Sequence, residues 1–271
     1  MTQTVLITGS STGIGKATAK HFCDQGWNVI ATMRAPGKET ELKDGGNVML
    51  VKLDVTDPAS IQAAVDAGIR RFGRIDAVVN NAGYALSGTF ESTSLDQIRR
   101  QFETNVFGLM EVARQMLPHF RANKAGTIIN VASMGGRLTF PLYSVYHATK
   151  WAVDGFSESL QFELRPLGIR VKIVEPGAIK TDFYDRSADV AHNRELSEYN
   201  ELVDKATRRM NKAGEKGASP AIVAKAIYRA ATDGSWKLRY PVGADARSML
   251  SMRRLLPDAA YQAMIRKALL S

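Results

Sequence analysis

Short apolar runs alternate with longer helical patterns along almost the whole chain. Residues 127–131, for example, read Thr-Ile-Ile-Asn-Val and lack the polar alternation of a strand with one solvated face. Nearly continuous apolar runs are typical of strands that are buried on both faces, as in a parallel sheet. The predicted strands are residues 4–8, 28–33, 48–53, 77–80, 126–131, 170–175 and 238–242.

Helical patterns fill the intervals between these runs. Repeated strand–helix–strand units predict an α/β fold, with an open, doubly wound parallel sheet covered by helices on both faces, in three layers α/β/α. We find no Pro/Gly/Ser linker or repeat, so we expect a single Rossmann-like domain over residues 1–271. The predicted helices lie near residues 14–25, 58–72, 94–123, 145–165 and 219–232, the last opening at the cap pair Ser219-Pro220.

Two segments depart from this alternation. Residues 182–217 form a long polar, charged insertion, and connections of this length are usually binding lids or disordered segments. We therefore expect a substrate lid there. In the tail, residues 244–271, the apolar positions Met249, Met252, Leu255 and Leu256 predict an amphipathic helical end.

Composition narrows the possible classes of protein. The chain is 45% hydrophobic and 23% charged, which is ordinary for a globular protein. No apolar run approaches the length of a membrane span, and the N-terminus lacks the pattern of a secretory signal. Cys23 is the only cysteine, so no internal disulfide is possible, which fits a reducing compartment. We expect a cytoplasmic protein.

The net charge of +9 raises the question of a nucleic-acid partner. The basic residues, however, are interleaved with acidic and apolar ones, as in Arg194-Glu195-Leu196. We find no dense basic block and no aromatic–basic stacking platform. The charge favours a solvated helical surface with some attraction for an anionic cofactor, and we expect neither nucleic-acid binding nor a metal site.

A glycine-rich turn follows the first predicted strand directly. Its spacing is Gly9-x-x-x-Gly13-x-Gly15, and a helical pattern begins within it. Glycines permit a tight turn and close backbone approach, while the free amides at a helix start face an anion. A glycine cluster alone is also compatible with an ordinary turn, but the strand before it and the helix after it favour a nucleotide phosphate site.

The end of the second predicted strand carries the signal for the cofactor. An acidic residue at this place accepts hydrogen bonds from an adenosine ribose, whereas a basic one pairs with a 2′-phosphate. The segment Val29–Arg34 contains no carboxylate and ends in Arg34, whose guanidinium suits a phosphate. The alternative is an ordinary surface arginine. We predict NADP(H) as the cofactor.

Tyr146 and Lys150 form the only Tyr-x-x-x-Lys pair in the chain. On a helix they lie one turn apart on the same face. A lysine cation beside a phenol favours the phenolate and lowers the tyrosine pKa from about 10, which allows proton exchange with a carbonyl or alcohol oxygen near neutral pH. Ser133 follows the predicted strand 126–131, where its hydroxyl is able to polarise the same oxygen; taken alone, it also fits a loop or cap serine.

Together these motifs resemble the short-chain dehydrogenase/reductase family over nearly the entire chain. The resemblance extends to Asp54-Val55, to Asn80-Asn81-Ala82-Gly83, to Asn105 in Thr104-Asn105-Val106, and to Pro176-Gly177 with Thr181. It implies a catalytic tetrad of Asn105, Ser133, Tyr146 and Lys150. The cofactor-binding set that we predict comprises Thr8, Gly9, Ser11, Thr12, Gly13, Ile14, Gly15, Arg34, Asp54, Val55, Asn81, Ala82, Gly83, Tyr146, Lys150, Pro176, Gly177, Ile179 and Thr181.

The same resemblance implies a mechanism. Tyr146 donates a proton to the substrate oxygen as hydride arrives from the nicotinamide, Ser133 holds that oxygen, and Lys150 lowers the tyrosine pKa and binds the nicotinamide ribose. Asn105 completes the tetrad through a water relay to the lysine. The insertion and the segment Arg239–Gly243 resemble the subgroup of 17β-hydroxysteroid and retinol dehydrogenases. Family habit also implies a homodimer or homotetramer that pairs through the helices 94–123 and 145–165.

The leading hypothesis is an NADPH-dependent, reversible reductase of a ketone or aldehyde. Apolar residues flank the tetrad and favour a bulky hydrophobic substrate, with Phe140, Tyr143 and Phe183 as its predicted contacts and Met249 and Met252 as an adaptable wall. The alternative hypothesis is a catalytically silent NADP(H)-binding regulatory or scaffold protein. The intact set Ser133, Tyr146 and Lys150 argues against that alternative.

Overall fold

The computed structural model describes residues 2–181 and 188–270, and a parallel β-sheet forms its centre. The predicted strands are all present, within one or two residues at their ends. Two short strands come in addition, β5 and β8. In chain order the strands are β1 (Thr4–Ile7), β2 (Asn28–Met33), β3 (Val48–Lys52), β4 (Ala77–Asn80), β5 (Ala85–Gly88), β6 (Gly126–Val131), β7 (Ile169–Pro176), β8 (Ala188–Ala191) and β9 (Arg239–Val242).

Within the described residues the main sheet has seven strands in the order β3-β2-β1-β4-β6-β7-β9, and each neighbouring pair is parallel. The chain order reverses between β1 and β4. In an open parallel sheet, ligands bind outside the carboxyl ends of the strands at such a point. The predicted doubly wound sheet is therefore confirmed, and its order places a binding crevice beside β1 and β4.

Helices cover both faces of the sheet. Helices α1 and α7 pack on one face around Phe22 and Ile227, while α2, α4 and α5 pack on the other around Ile61, Met116 and Leu160. This is the predicted three-layer arrangement in one domain. The helices are α1 (Gly13–Asp24), α2 (Pro58–Phe72), α3 (Leu95–Phe102), α4 (Gly108–Ala122), α5 (Ser144–Leu164), α6 (Asn200–Glu215), α7 (Pro220–Thr232), α8 (Ala244–Leu255) and α9 (Asp258–Leu270).

Local sequence signals explain where several helices begin. Ser219 accepts a hydrogen bond from the Ala221 amide and Pro220 follows it, as the sequence predicts for the start of α7. The predicted helix 94–123 is one helical path in three parts, because a π-helical turn at Glu103–Phe107 joins α3 to α4. Such turns occur often at functional sites. None of the helices described here is long and apolar enough to cross a membrane.

The predicted insertion 182–217 contains regular structure. Residues 182–187 lie outside the described part of the chain, but β8 and α6 occupy most of the remainder. Strand β8 pairs in parallel with β5 and forms a small second sheet. Gly88 permits this pairing: its φ is +141°, and a Cβ there would lie 1.7 Å from the carbonyl oxygen of Ala191. The tail is helical as predicted, forming α8 and α9.

Candidate active site

A cleft of 1270 Å³ lies outside the carboxyl ends of the central strands. The segments that follow β1, β4, β6 and β7 all contribute to its lining, because parallel strands end at the same edge of the sheet. The sequence motifs are far apart along the chain, and this topology brings them together in one cleft.

The glycine-rich turn between β1 and α1 forms one wall of the cleft. Gly9 and Gly13 have φ angles of +70° and +53°, which residues with a side chain rarely adopt. A Cβ on Gly15 would lie 2.1 Å from the Gly9 carbonyl oxygen and 2.5 Å from Nδ2 of Asn81. All three glycines are therefore required by the backbone path, and they leave a cradle at the start of α1.

Thr8 and Asn81 join this turn to the loop after β4. The Thr8 hydroxyl accepts hydrogen bonds of 3.0 Å from the backbone amides of Asn81 and Ala82. In return, the Asn81 amide group donates to the carbonyl oxygens of Thr8 and Gly9 at 2.9 and 3.1 Å. Thr8 is buried behind the turn and, like Gly15, does not line the cleft. Both residues shape the cleft from behind.

Arg34 and Asp54 lie at the outer end of the cleft, after β2 and β3. The Asp54 carboxylate accepts hydrogen bonds from the Thr56 amide and hydroxyl at 3.0 and 2.8 Å. Burial by itself raises the pKa of Asp54, but these bonds and the charges of Arg34 and Lys52 lower it overall. Arg34 is exposed and forms no ion pair with any residue in the described ranges. Its guanidinium is therefore available to an anion.

Ser133, Tyr146 and Lys150 line the inner end of the same cleft. The first turns of α5 carry Tyr146 and Lys150, and the Lys150 ammonium lies 5.7 Å from the centre of the Tyr146 ring. Lys150 donates a hydrogen bond of 3.0 Å to the carbonyl oxygen of Val131, the last residue of β6. Burial lowers the pKa of Lys150 to about 8. Ser133 accepts a hydrogen bond of 3.0 Å from the Gly135 amide.

Asn105 stands in the π-helical turn behind the cleft and does not line it. Its side-chain oxygen accepts from the Tyr84 amide at 3.1 Å. Its amide group donates to the Tyr84 carbonyl at 2.9 Å and to the Thr149 hydroxyl at 3.2 Å. The side chain thus fixes the loop after β4 against α5. The water relay that the resemblance implies stays a prediction.

Several apolar side chains line the cleft together with Tyr146. Met134, Phe140 and Tyr143 come from the segment between β6 and α5, and Met210 reaches it from α6. Met210 packs against the cluster of Ala85, Tyr143 and Tyr146, so α6 contributes to the lining of the cleft, while the substrate lid stays a prediction. Neither of the methionines expected in the tail, Met249 and Met252, is among the lining residues.

The tail does not form a wall of the cleft, as the sequence predicts for Met249 and Met252, but packs outside it. Met249 packs behind the wall, in a cluster around Leu138, Leu250 and Tyr261. At the start of α8, Asp245 accepts a hydrogen bond of 2.7 Å from the Ala178 amide. A Cβ on Gly177 would lie 2.2 Å from the same carboxylate. The tail therefore holds the segment after β7 in position.

Nearly all of the predicted site residues meet in this cleft. Phe183 lies outside the described residues, and Thr8, Gly15 and Asn105 support the cleft without lining it. In residues 2–181 and 188–270 there is no group of three His, Cys, Asp or Glu side chains placed to hold a metal. The predicted residues that line the cleft are Gly9, Ser11, Thr12, Gly13, Ile14, Arg34, Asp54, Val55, Asn81, Ala82, Gly83, Ser133, Phe140, Tyr143, Tyr146, Lys150, Pro176, Gly177, Ile179 and Thr181.

Tyr84, His147 and Met210 are among the lining residues near the reacting groups that sequence reasoning missed. Met210 lies in a helix of strongly charged composition, and only its packing against the cluster of Ala85, Tyr143 and Tyr146 distinguishes it from other apolar positions. The adjacency of His147 to Tyr146 was visible in the sequence, since the two residues are neighbours in the chain. The other two carried no such signal.

A family comparison agrees with this geometry. Residues 3–191 match the model of the short chain dehydrogenase family. The chain belongs to this family. Solved structures that share the short-chain dehydrogenase fold include complexes with NADP and with NADH, so the fold itself is compatible with either nicotinamide cofactor.

Individual short-chain dehydrogenases match over almost the full chain. An uncharacterized oxidoreductase of Schizosaccharomyces pombe is 39% identical, covering 87% of this chain and 98% of its own. The 3-ketodihydrosphingosine reductase of Bacteroides thetaiotaomicron is 32% identical, covering 97% of each chain. A solved short-chain dehydrogenase from Streptomyces avermitilis has a TM-score of 0.84 at 32% identity, covering 98% of this chain and 96% of its own.

The low pKa of Lys150 predicts a pH dependence of stability. Between about pH 8 and the usual lysine value of 10.5, the folded protein binds fewer protons than the unfolded chain. The contribution of Lys150 is therefore complete above pH 10.5 and is lost as the pH falls through 8. Relative to Lys150→Met, the free energy of unfolding of the wild type should rise by roughly 2–4 kcal/mol across this window. Urea unfolding at pH 8 and at pH 10.5 measures the difference, and a constant difference would contradict the buried lysine.

Proposed function

We propose that this short-chain dehydrogenase uses NADPH to reduce a bulky hydrophobic ketone or aldehyde to an alcohol, reversibly. The observation that carries the proposal is the meeting of Ser133, Tyr146 and Lys150 at the inner end of a cleft whose outer end holds the glycine-rich turn. The site for an anionic nucleotide and the site for proton transfer thus occupy different positions in the same cleft. A reductase needs both sites in one cleft.

The residues present fit a dinucleotide. The glycine-rich turn lines the cleft at the start of α1, where free amides favour a phosphate. Asp54, Val55 and Asn81 line the cleft beside this turn and would hold the adenosine half. When bound, the nicotinamide supplies the hydride. The guanidinium of Arg34 supports NADP(H) over NAD(H), because it is exposed at the cleft, forms no ion pair within the described residues and suits a phosphate.

The chain's own residues handle the proton. An ammonium group as close as that of Lys150 favours the phenolate form of Tyr146, so the phenol gives up its proton readily to a substrate oxygen. Ser133 uses its oxygen to accept from the Gly135 amide, and its hydroxyl hydrogen remains for the substrate oxygen. Lys150 is held against the end of β6, which limits its movement during the reaction.

The apolar wall supports the substrate class. Met134, Phe140, Tyr143 and Met210 surround the space next to the Tyr146 ring and would bury an apolar ketone. The name of the Bacteroides relative makes that protein a reductase of a 3-keto compound, which agrees with a carbonyl substrate here. We assign β8 and α6 to the substrate lid, because α6 brings Met210 over the cleft.

Two further expectations stay predictions, the location in the cytoplasm and the association into a homodimer or homotetramer. The exposed aromatic residues Phe107, Trp151 and Phe162 support association, because they lie on the two helical segments that the resemblance pairs between subunits. Their side chains give a second copy an apolar surface to cover. The resemblance to the 17β-hydroxysteroid and retinol dehydrogenase subgroup likewise stays a prediction.

Replacing Tyr146 tests the chemistry. Tyr146→Phe removes the proton donor and little volume, so we expect kcat to fall by about 10²–10⁴-fold while the Kd for NADPH stays nearly unchanged. Lys150→Ala should lower kcat and also weaken NADPH binding, because Lys150 acts on Tyr146 and on the cofactor. Steady-state assays with a panel of ketones, aldehydes and secondary alcohols, together with fluorescence titration of NADPH, measure both quantities. Binding without turnover by the wild type would favour the silent scaffold, and more than a tenth of the activity in Tyr146→Phe would exclude Tyr146 as the acid.

Replacing Arg34 tests the cofactor. Arg34→Ala removes a charge-assisted phosphate contact, so the preference for NADPH over NADH should fall on the order of 10- to 100-fold, with little change for NADH. Lys38→Ala is the matched control, since Lys38 is an exposed cation of the same segment that does not line the cleft. The measured quantity is kcat/KM with each cofactor. Equal use of both cofactors by the wild type would refute the assignment to NADPH.

A series of ketones tests the substrate class. Since buried apolar area contributes about 25 cal/mol per Å², kcat/KM should rise with the size of the ketone. Met210→Ala should raise KM for a bulky ketone more than for a small one, while Met252→Ala, outside the cleft, should change neither. A best substrate that is small and charged would defeat this pocket, although the family assignment would stand.

A further inference from the structure

His147, the residue after Tyr146, is only 4% exposed, and both of its ring nitrogens take part in hydrogen bonds. Nδ1 lies 2.9 Å from the carbonyl oxygen of Gly135. Nε2 accepts a hydrogen bond of 2.9 Å from the backbone amide of Phe140. One imidazole ring therefore connects the catalytic helix α5 to two points of the segment between β6 and α5.

These partners determine the protonation of the ring. A carbonyl oxygen accepts only, so Nδ1 must carry the proton that it donates to Gly135. An amide N–H donates only, so Nε2 must offer a lone pair to Phe140. The ring is thus neutral with its proton on Nδ1. Burial lowers the pKa of His147 to about 4, so this arrangement persists at neutral pH.

Gly135 continues the connection to Ser133. Its carbonyl, in the peptide bond to Gly136, accepts from His147, and its amide, in the peptide bond from Met134, donates to the Ser133 hydroxyl oxygen at 3.0 Å. A Cβ on Gly135 would lie 2.7 Å from Nδ1 of His147, so the ring packs directly against this residue. The imidazole therefore holds the residue whose amide orients the Ser133 hydroxyl.

The second bond reaches the substrate wall. Phe140 lines the apolar end of the cleft, and its ring lies 5.7 Å from the His147 ring, centre to centre. The backbone of Phe140 is held through its amide. Loss of this hydrogen bond would allow Phe140 to move without changing the hydrogen bond to Ser133.

We propose that His147 is a positioning residue with two separable effects. Through Nδ1 and the backbone of Gly135 it aims the Ser133 hydroxyl hydrogen at the substrate oxygen, and through Nε2 it holds Phe140 against the substrate. The first effect acts on the reaction step and the second on substrate binding. This inference rests on the proposed carbonyl reduction.

Two substitutions separate the effects. In His147→Asn the amide group takes the position of Nδ1 and is able to donate to Gly135, whereas in His147→Gln the amide oxygen reaches the position of Nε2 and is able to accept from Phe140. We expect His147→Gln to lower kcat on the order of tenfold with little change in KM. His147→Asn should keep most of kcat and raise KM for a bulky ketone on the order of tenfold. Equal effects of both variants on kcat and on KM would overturn the proposal.

A Ser133→Ala background tests whether His147 acts through Ser133. If it does, adding His147→Gln to Ser133→Ala should lower kcat by less than about twofold, because the hydroxyl to be aimed is already absent. A further tenfold loss in the double variant would show a role independent of Ser133 and would overturn the first effect. Thermal unfolding and NADPH titration of each variant identify one that has lost its fold.

A measurement on the wild type keeps this inference distinct from the proposed function. In the ¹⁵N–¹H spectrum of the imidazole groups, the His147 signal, assigned by its absence in His147→Gln, should show a proton on Nδ1 and no titration between pH 5.5 and 8. A proton on Nε2, or titration near the usual histidine value of about 6.5, would overturn the inference. A failure to reduce any carbonyl, with the predicted spectrum intact, would instead count against the proposed function.

Discussion

A buried chain of polar side chains sets the position of α5, and the whole candidate site depends on that helix. Asn80 of β4 donates to Asn130 of β6 at 2.9 Å, Asn130 donates to Ser157 of α5 at 2.8 Å, and Ser157 donates to the Val153 carbonyl at 2.6 Å. Apolar contacts alone would allow the helix to slide, because they are non-directional. Hydrogen bonds between buried groups are costly to break, so they fix one register of helix on sheet.

The register of α5 on the sheet determines where the side chains of its first turns lie. Tyr146, His147 and Lys150 all lie there, one or more turns before Ser157. Lys150 is anchored on the end of β6, and His147 on the loop that follows the same strand. The reacting groups are therefore placed by the sheet as well as by the loops, which gives them the rigid support that proton transfer over short distances requires.

The central sheet and most of the cleft could be predicted from the sequence because their signals are local. Continuous apolar runs mark buried strands, and the glycine spacing at Gly9, Gly13 and Gly15 reflects close backbone approach at a single turn. The short strands β5 and β8 had no such signal, since Ala85–Gly88 and Ala188–Ala191 become strands only through each other. The same holds for Met249, whose place behind the wall depends on how α8 and α9 fold back.

The pairing of β5 with β8 also bears on the order of folding. It joins two segments that are separated in the chain by everything from α3 to β7, and the entropy of closing such a long loop must be offset before the contact forms. In the part of the chain that the structure describes, the small sheet has only two strands, too few to be stable without the packing around it. The small sheet of β5 and β8 should therefore fold after the main sheet and unfold before it. This local unfolding would leave the glycine-rich turn and the main sheet intact. For the proposed reductase, a bulky substrate would then enter through a segment that the fold itself makes the last to close.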